Sequence, residues 1–150
     1  MNSRIRPMQW KDRDAVIGMM REFYASPAVL SNGSEAIFAA DFRQCVEGSP
    51  YLEGYVFEEE ETLQGYAMLA KSFSTEFGKP CVWIEDLYIK SAFRGQGLGG
   101  RFLQFAEERH PGAVFRLEVE AENERAVHVY RNGGFEMLPY LEMIKKNRPL

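Results

Sequence analysis

The chain has 150 residues, 45% hydrophobic and 27% charged, with a formal net charge of −4. That length and balance describe one globular domain over residues 1–150, long enough to bury a core without disulfides or a structural metal. The acidic balance argues against a chain built to grip nucleic acid or an anionic membrane nonspecifically.

Residues 3–8, SRIRPM, alternate and predict a short first strand. Asp12 or Asp14 can cap a helix running to about Ala25, with Ala15, Met19 and Phe23 at helical spacing. SPAVLSNG reads as loop. Ser34 caps a second helix to about Val46, whose apolar side is Ile37, Phe38 and Phe42 and whose stop is Gly48. Three strands follow, YLEGYVFEE, QGYAMLAKSF and CVWIEDLYI. The first two are joined as a hairpin around Glu61 and Thr62. After a glycine-rich segment, Leu98, Phe102, Phe105 and Ala106 mark the apolar face of a third helix, with Arg101, Gln104 and Glu108 opposite. Residues 113–121, AVFRLEVEA, predict a strand, and Asn123 caps a last helix closed by Gly133 and Gly134. FEMLPYLEMIKK supplies one or two terminal strands, with Pro139 as a break. Hairpins first and a strand-helix-strand crossover late imply an α/β chain. Its sheet should be mixed, mostly antiparallel, with six to seven strands flanked by four helices.

Cys45 and Cys81 have no motif spacing and read as reduced thiols of a cytoplasmic protein, a disulfide remaining open. His110 and His128 do not cluster with them, so no metal site is predicted. No apolar run approaches the ~18 residues of a membrane span, and MNSRIRPMQW has no apolar core of a leader peptide. EEEE at 58–61 reads as a solvated hairpin tip.

The segment RGQGLGG, residues 94–100, fits two phosphate-binding patterns. Gly95, Gly97 and Gly100 satisfy the dinucleotide pattern G-x-G-x-x-G, with Glu118 near the end of the next strand as the ribose-binding acid. The context opposes this reading. KSAFR separates the strand from the first glycine, and too little chain follows to wind a parallel sheet. The second pattern takes Arg94, Gly97 and Gly99 as R-x-x-G-x-G, a loop whose amides wrap a pyrophosphate at a helix start. Gly95, Gln96, Leu98 and Gly100 complete that loop, and Arg94 adds positive charge.

WIEDLYIKSAFRGQGLGGRFL and NERAVHVYRNGGF, in this order and separated by one strand, resemble the GNAT acyltransferase superfamily, which uses acetyl-coenzyme A. The resemblance covers roughly residues 4 to 144. It implies that the backbone of Leu87, Tyr88 and Ile89 pairs with the pantetheine arm, and that this strand carries a bulge. It places Asn123, Ala126 and Tyr130 at family spacing in the last helix, against the cofactor. Helix capping alone would also explain Asn123.

Amide formation from a thioester needs a neutral amine and a proton for the departing thiolate. Glu85 is the candidate base, because a similar Glu-Asp pair stands on this strand in diamine acetyltransferases of the superfamily. Asp86 is the reserve base or an acceptor-binding residue. Tyr130 is the candidate acid, and a core tyrosine is the plainer alternative. Glu118 and Glu120 could join Glu85 and Asp86 in an acidic acceptor pocket. The resemblance thus implies an N-acetyltransferase moving acetyl from acetyl-CoA to a primary amine by direct attack in a ternary complex. A small-molecule amine is favoured over a protein amino group. A CoA-binding sensor without turnover is the alternative from another class. Superfamily members often pair, which allows a homodimer.

Overall fold

Arg6 on the first strand and Asp12, six residues later, set the first corner of the fold. The computed structural model describes residues 3–149. In it the Arg6 guanidinium donates to both Asp12 oxygens at 2.8 and 2.9 Å and to both Glu58 oxygens. Asp12 therefore precedes α1 without capping it by side chain; it accepts from Arg6 and from the Gln9 N–H instead. Burial pushes the Asp12 carboxyl up, but these hydrogen bonds prevail and hold it below its ordinary value.

The strands are β1 (Arg4–Pro7), β2 (Leu52–Glu59), β3 (Thr62–Ser74), β4 (Lys79–Ile89) and β5 (Val114–Leu117). The helices are α1 (Arg13–Tyr24), α2 (Glu35–Val46), α3 (Leu98–Arg109) and α4 (Glu124–Asn132). The five strands lie in the order β1-β2-β3-β4-β5. All neighbours are antiparallel except β4 and β5, which are parallel. The expected class, a mixed and mostly antiparallel sheet with four helices, is what forms. The parallel pair follows from the helical crossover through α3.

Side-chain alternation along β3 and β4 feeds two cores. Tyr66, Met68 and Tyr88 face α1 and α2, where Val16, Met20, Phe38 and Phe42 pack. Ala67, Leu69, Val82 and Ile84 face α3, against Leu98, Phe102 and Ala106. Two details differ from the sequence reading. Val16, Ile17, Met19 and Met20 form the buried face of α1 while Ala15 is exposed, and Ile37 of α2 is 50% exposed.

The strand count is five among the described residues, not six to seven. Residues 135–149 form no strand, and Leu141 and Met143 are 94% and 98% exposed. Alternation marks strand competence, but a ladder needs a partner. Pro139 lacks an N–H to give, and β5 offers an edge of only four residues. The same short β5 leaves Glu118, Val119 and Glu120 outside the sheet. Both cysteines are free thiols. No helix among the described residues is long and apolar enough to cross a membrane.

Candidate active site

The centre of β4 is where the ladder breaks step. Leu69 of β3 pairs with Ile84, and the next residue, Met68, pairs with Asp86. Glu85 is thus the extra residue of a β-bulge. Ile84 and Asp86 both turn inward, at 6% and 3% exposure, and Glu85 is left exposed between them. Strict alternation would put Glu85 and Asp86 on opposite faces. The bulge removes that requirement, and both carboxylates act on Tyr24 and on Asp41.

Asp86 is held by two phenols. Tyr24, the last residue of α1, donates to Oδ1 at 3.0 Å, and Tyr66 of β3 donates to Oδ2 at 2.7 Å. Burial raises the Asp86 carboxyl, and the two hydroxyls offset only part of that. Burial also pushes both phenols well above their ordinary value, with Asp86 adding to it, so they remain donors.

Further acids gather around this pair. Asp41 of α2 is pushed up to about 6, by burial first and then by Asp86 and Glu85. Burial raises Glu85, and Asp86 and Glu142 add to it. Glu118, just past β5, is pushed up to about 7 by its hydrogen bond with Glu142, by burial and by the charges of Glu142 and Glu85. Sequence reasoning missed Asp41 and Glu142. A carboxylate on the otherwise apolar side of α2, beside Phe38 and Phe42, was the signal available for the first. The Glu120 carbonyl accepts the Asn123 N–H at 3.0 Å.

The glycine loop runs from the end of β4 into α3. Gly95 and Gly97 have φ of +77° and +78°, a left-handed conformation that glycine adopts without a Cβ penalty. A Cβ at Gly95, Gly97 or Gly100 would meet nothing within 4 Å, so packing does not require these glycines. Gly97 caps a helix with no acid in its first turn, so no acidic side chain of its own meets the positive end of the dipole. These features fit a diphosphate. Leu98 instead turns into the core at 2% exposure. Arg94 bends back, its Nε donating to the Ile89 carbonyl at 2.8 Å and its guanidinium standing 5.6 Å from the Tyr88 ring centre.

Beside the loop the sheet opens. β5 pairs with β4 only from Cys81 to Ile84, so β4 from Glu85 to Ile89 has no strand on that side among the described residues. Leu87 and Ile89 face the α3 side, which Tyr130 of α4 also joins. Burial pushes the Tyr130 phenol up to about 12, and its ring meets Phe135 edge-on at 5.8 Å. Asn123 caps α4, its Oδ1 accepting the Ala126 N–H at 3.3 Å.

A mostly antiparallel sheet split at one parallel pair, with a glycine-bearing helix start at the split, excludes the dinucleotide reading and defines an acyl-transfer fold. The chain belongs to the acetyltransferase (GNAT) family, whose model matches residues 17–135. Acetyl-CoA is the co-substrate of this family. It is 33% identical over 73 residues to the thialysine N-epsilon-acetyltransferase of Sus scrofa, covering 47% of this chain and 42% of that protein. The match thus spans less than half of that relative's length. With the thialysine N-epsilon-acetyltransferase of Mus musculus it shares 26% over 151 residues, 91% of this chain and 86% of the other. The fold is similar to that of aminoglycoside N-acetyltransferase AAC(6')-Iy in complex with CoA. The TM-score is 0.78 at 15% identity, over 98% of this chain and 96% of that one.

Proposed function

We propose that the protein transfers the acetyl group of acetyl-CoA directly to a primary amine of a small molecule, both substrates being bound together. Glu85 is the base and Tyr130 the acid. The loop from Arg94 to Gly100 takes the diphosphate through its amides, and the open edge of β4 at Leu87, Tyr88 and Ile89 takes the pantetheine arm. Asn123 and Ala126 border it at the start of α4.

The observation that carries this reading is the exposed Glu85, placed by the bulge where the sheet opens, with acids and the Tyr24 phenol around it. A protonated amine is drawn to such a cluster of acids. A carboxylate with raised proton affinity can take a proton from it near neutral pH. The neutral nitrogen then attacks the thioester carbonyl carbon, forming the C–N bond. The C–S bond breaks with its electron pair on sulfur, Tyr130 supplies the proton that makes free thiol, and the proton left on the nitrogen of the new amide returns through solvent to the Tyr130 phenolate. The small-amine preference draws on the relatives named for thialysine, and on the fold neighbour named for aminoglycosides.

The test is thiol release from acetyl-CoA with a panel of small amines, thialysine among them. Glu85→Gln and Tyr130→Phe are each expected to lower kcat by 10²-fold or more while CoA binding stays within a factor of about two. CoA binding with no release from any amine would instead make the protein a cofactor sensor.

A further inference from the structure

Asp86 has no cation to justify its burial. It is 3% exposed, its partners are two neutral phenols, and the other groups acting around it are Asp41 and Glu85. A buried carboxylate without a positive partner is a poor choice for stability, and an apolar residue of similar size would serve the core better. Its position explains what stability does not. Asp86 is the residue immediately after the bulge, and its two oxygens are tied to different elements, β3 through Tyr66 and α1 through Tyr24.

We propose that Asp86 is a positioning residue for the reaction: clamped between Tyr24 and Tyr66, it fixes the β4 bulge that presents Glu85 to the cleft and sets a negative charge behind that carboxylate. The proposal deepens the reading of Glu85 as base and rests on it. It replaces the expectation that Asp86 binds the acceptor, because each oxygen already accepts a phenol hydroxyl and the residue is only 3% exposed. Tyr24 ends α1, so the same clamp ties the segment between α1 and α2 to the active strand.

The groups that face Glu85 are Asp86 on its own strand, Asp41 from α2, Tyr24 from α1, and Glu118 and Glu142 from the other side. All are acids or a phenol, so each charged neighbour favours the protonated form of Glu85. Asp86 differs in being covalently next to it and immobilised.

The experiment follows the Glu85 carboxyl by ¹³C NMR titration, its signal assigned by its loss in Glu85→Gln, and needs no acceptor. In Asp86→Asn the Glu85 midpoint is expected to fall by about half a pH unit or more. Thiol release with thialysine should fall at least about tenfold in kcat, with little change in the KM for acetyl-CoA. In a Glu85→Gln background the same change should have almost no further effect on kcat. An unmoved midpoint, or an equal loss in both backgrounds, overturns the proposal. Full activity of Glu85→Gln overturns the base reading instead, and the titration still reports on Asp86. Should Asp86→Asn fail to fold, Tyr24→Phe removes one arm of the clamp. Faster amide exchange at residues 84–87 with a shifted Glu85 midpoint supports the proposal, and no change in either overturns it.

Discussion

The two faces of β3 and β4 are built to different rules. The α3 face is mainly apolar: Phe57, Leu69, Phe102 and Ala106 are wholly buried, the Tyr55 hydroxyl reaches out to Glu53 at 2.8 Å, and half-buried Tyr130 packs against the cluster. The α1 and α2 face buries a comparable set of side chains but sets a carboxylate and two phenols among them. One face is a scaffold that gains stability from every side chain. The other gives up stability around β4 to hold charge where charge is costly. The difference teaches where to look for buried charge in this fold: on the face whose burial stability alone does not explain.

Breaking the scaffold face should have the largest effect. Phe102 is fully buried, with the rings of Tyr55, Phe57 and Phe105 at 6.0, 5.7 and 6.0 Å. Phe102→Ala is expected to cost about 3–5 kcal/mol, read as a fall in the urea midpoint at unchanged slope. On the other face Tyr66→Phe removes only an oxygen, yet it withdraws the shorter of the two hydrogen bonds to Asp86. The expected loss is about 1–2 kcal/mol, because a buried acceptor loses a donor. A larger loss from Tyr66→Phe than from Phe102→Ala would abolish the distinction between the faces.

Most of the scaffold was legible in the sequence and most of the charged face was not, for a physical reason. Apolar periodicity is local: Leu98, Phe102 and Ala106 announce their helix within nine residues, and Gly97 announces the left-handed backbone it needs. A buried carboxylate is explained by partners far along the chain. Tyr24 lies 62 residues from Asp86 and Tyr66 lies 20 from it. The bulge at Glu85 carries no glycine or proline to mark it. The tail at 135–149 misled in the opposite sense, since alternation there is genuine but no ladder answers it.

Smaller in effect, and sharper as a test, is the pH dependence of the charged face. Asp41 sits at about 6 in the folded protein, above its ordinary 3.8, so the folded state holds this proton more tightly than the unfolded chain. Its contribution is fully present below about pH 4 and is lost as the pH rises through about 6. Glu118, at about 7, acts in the same sense. The urea midpoint should therefore decline between about pH 4 and 7. Asp41→Asn should flatten part of that decline and leave the protein about 1 kcal/mol more stable at pH 8, after allowance for solvent screening. An unaltered slope in Asp41→Asn would mean that the charge at this face is relieved elsewhere.

The smallest expected effect comes from a place that belongs to neither face. Glu60 and Glu61 alone join β2 to β3, with φ of +49° and +64°. Two left-handed central residues make a type I′ turn, whose twist suits a two-residue hairpin and whose second position favours glycine. Neighbouring Glu58 is bound to Arg4 and Arg6, so the four consecutive acids are not all solvated, and the turn is strained at its tip rather than at its base. Glu61→Gly relieves a left-handed side chain worth about 1–2 kcal/mol and loses part of this to the freer unfolded chain. The net expectation is a gain of about 0.5 kcal/mol, seen as a rise of about 1–2 °C in Tm. Because the turn touches neither core, the Glu85 titration and the pH slope should stay where they were. A shift in either would show that strain at the hairpin tip reaches the charged face along β3, and that the two faces are less separable than their composition implies.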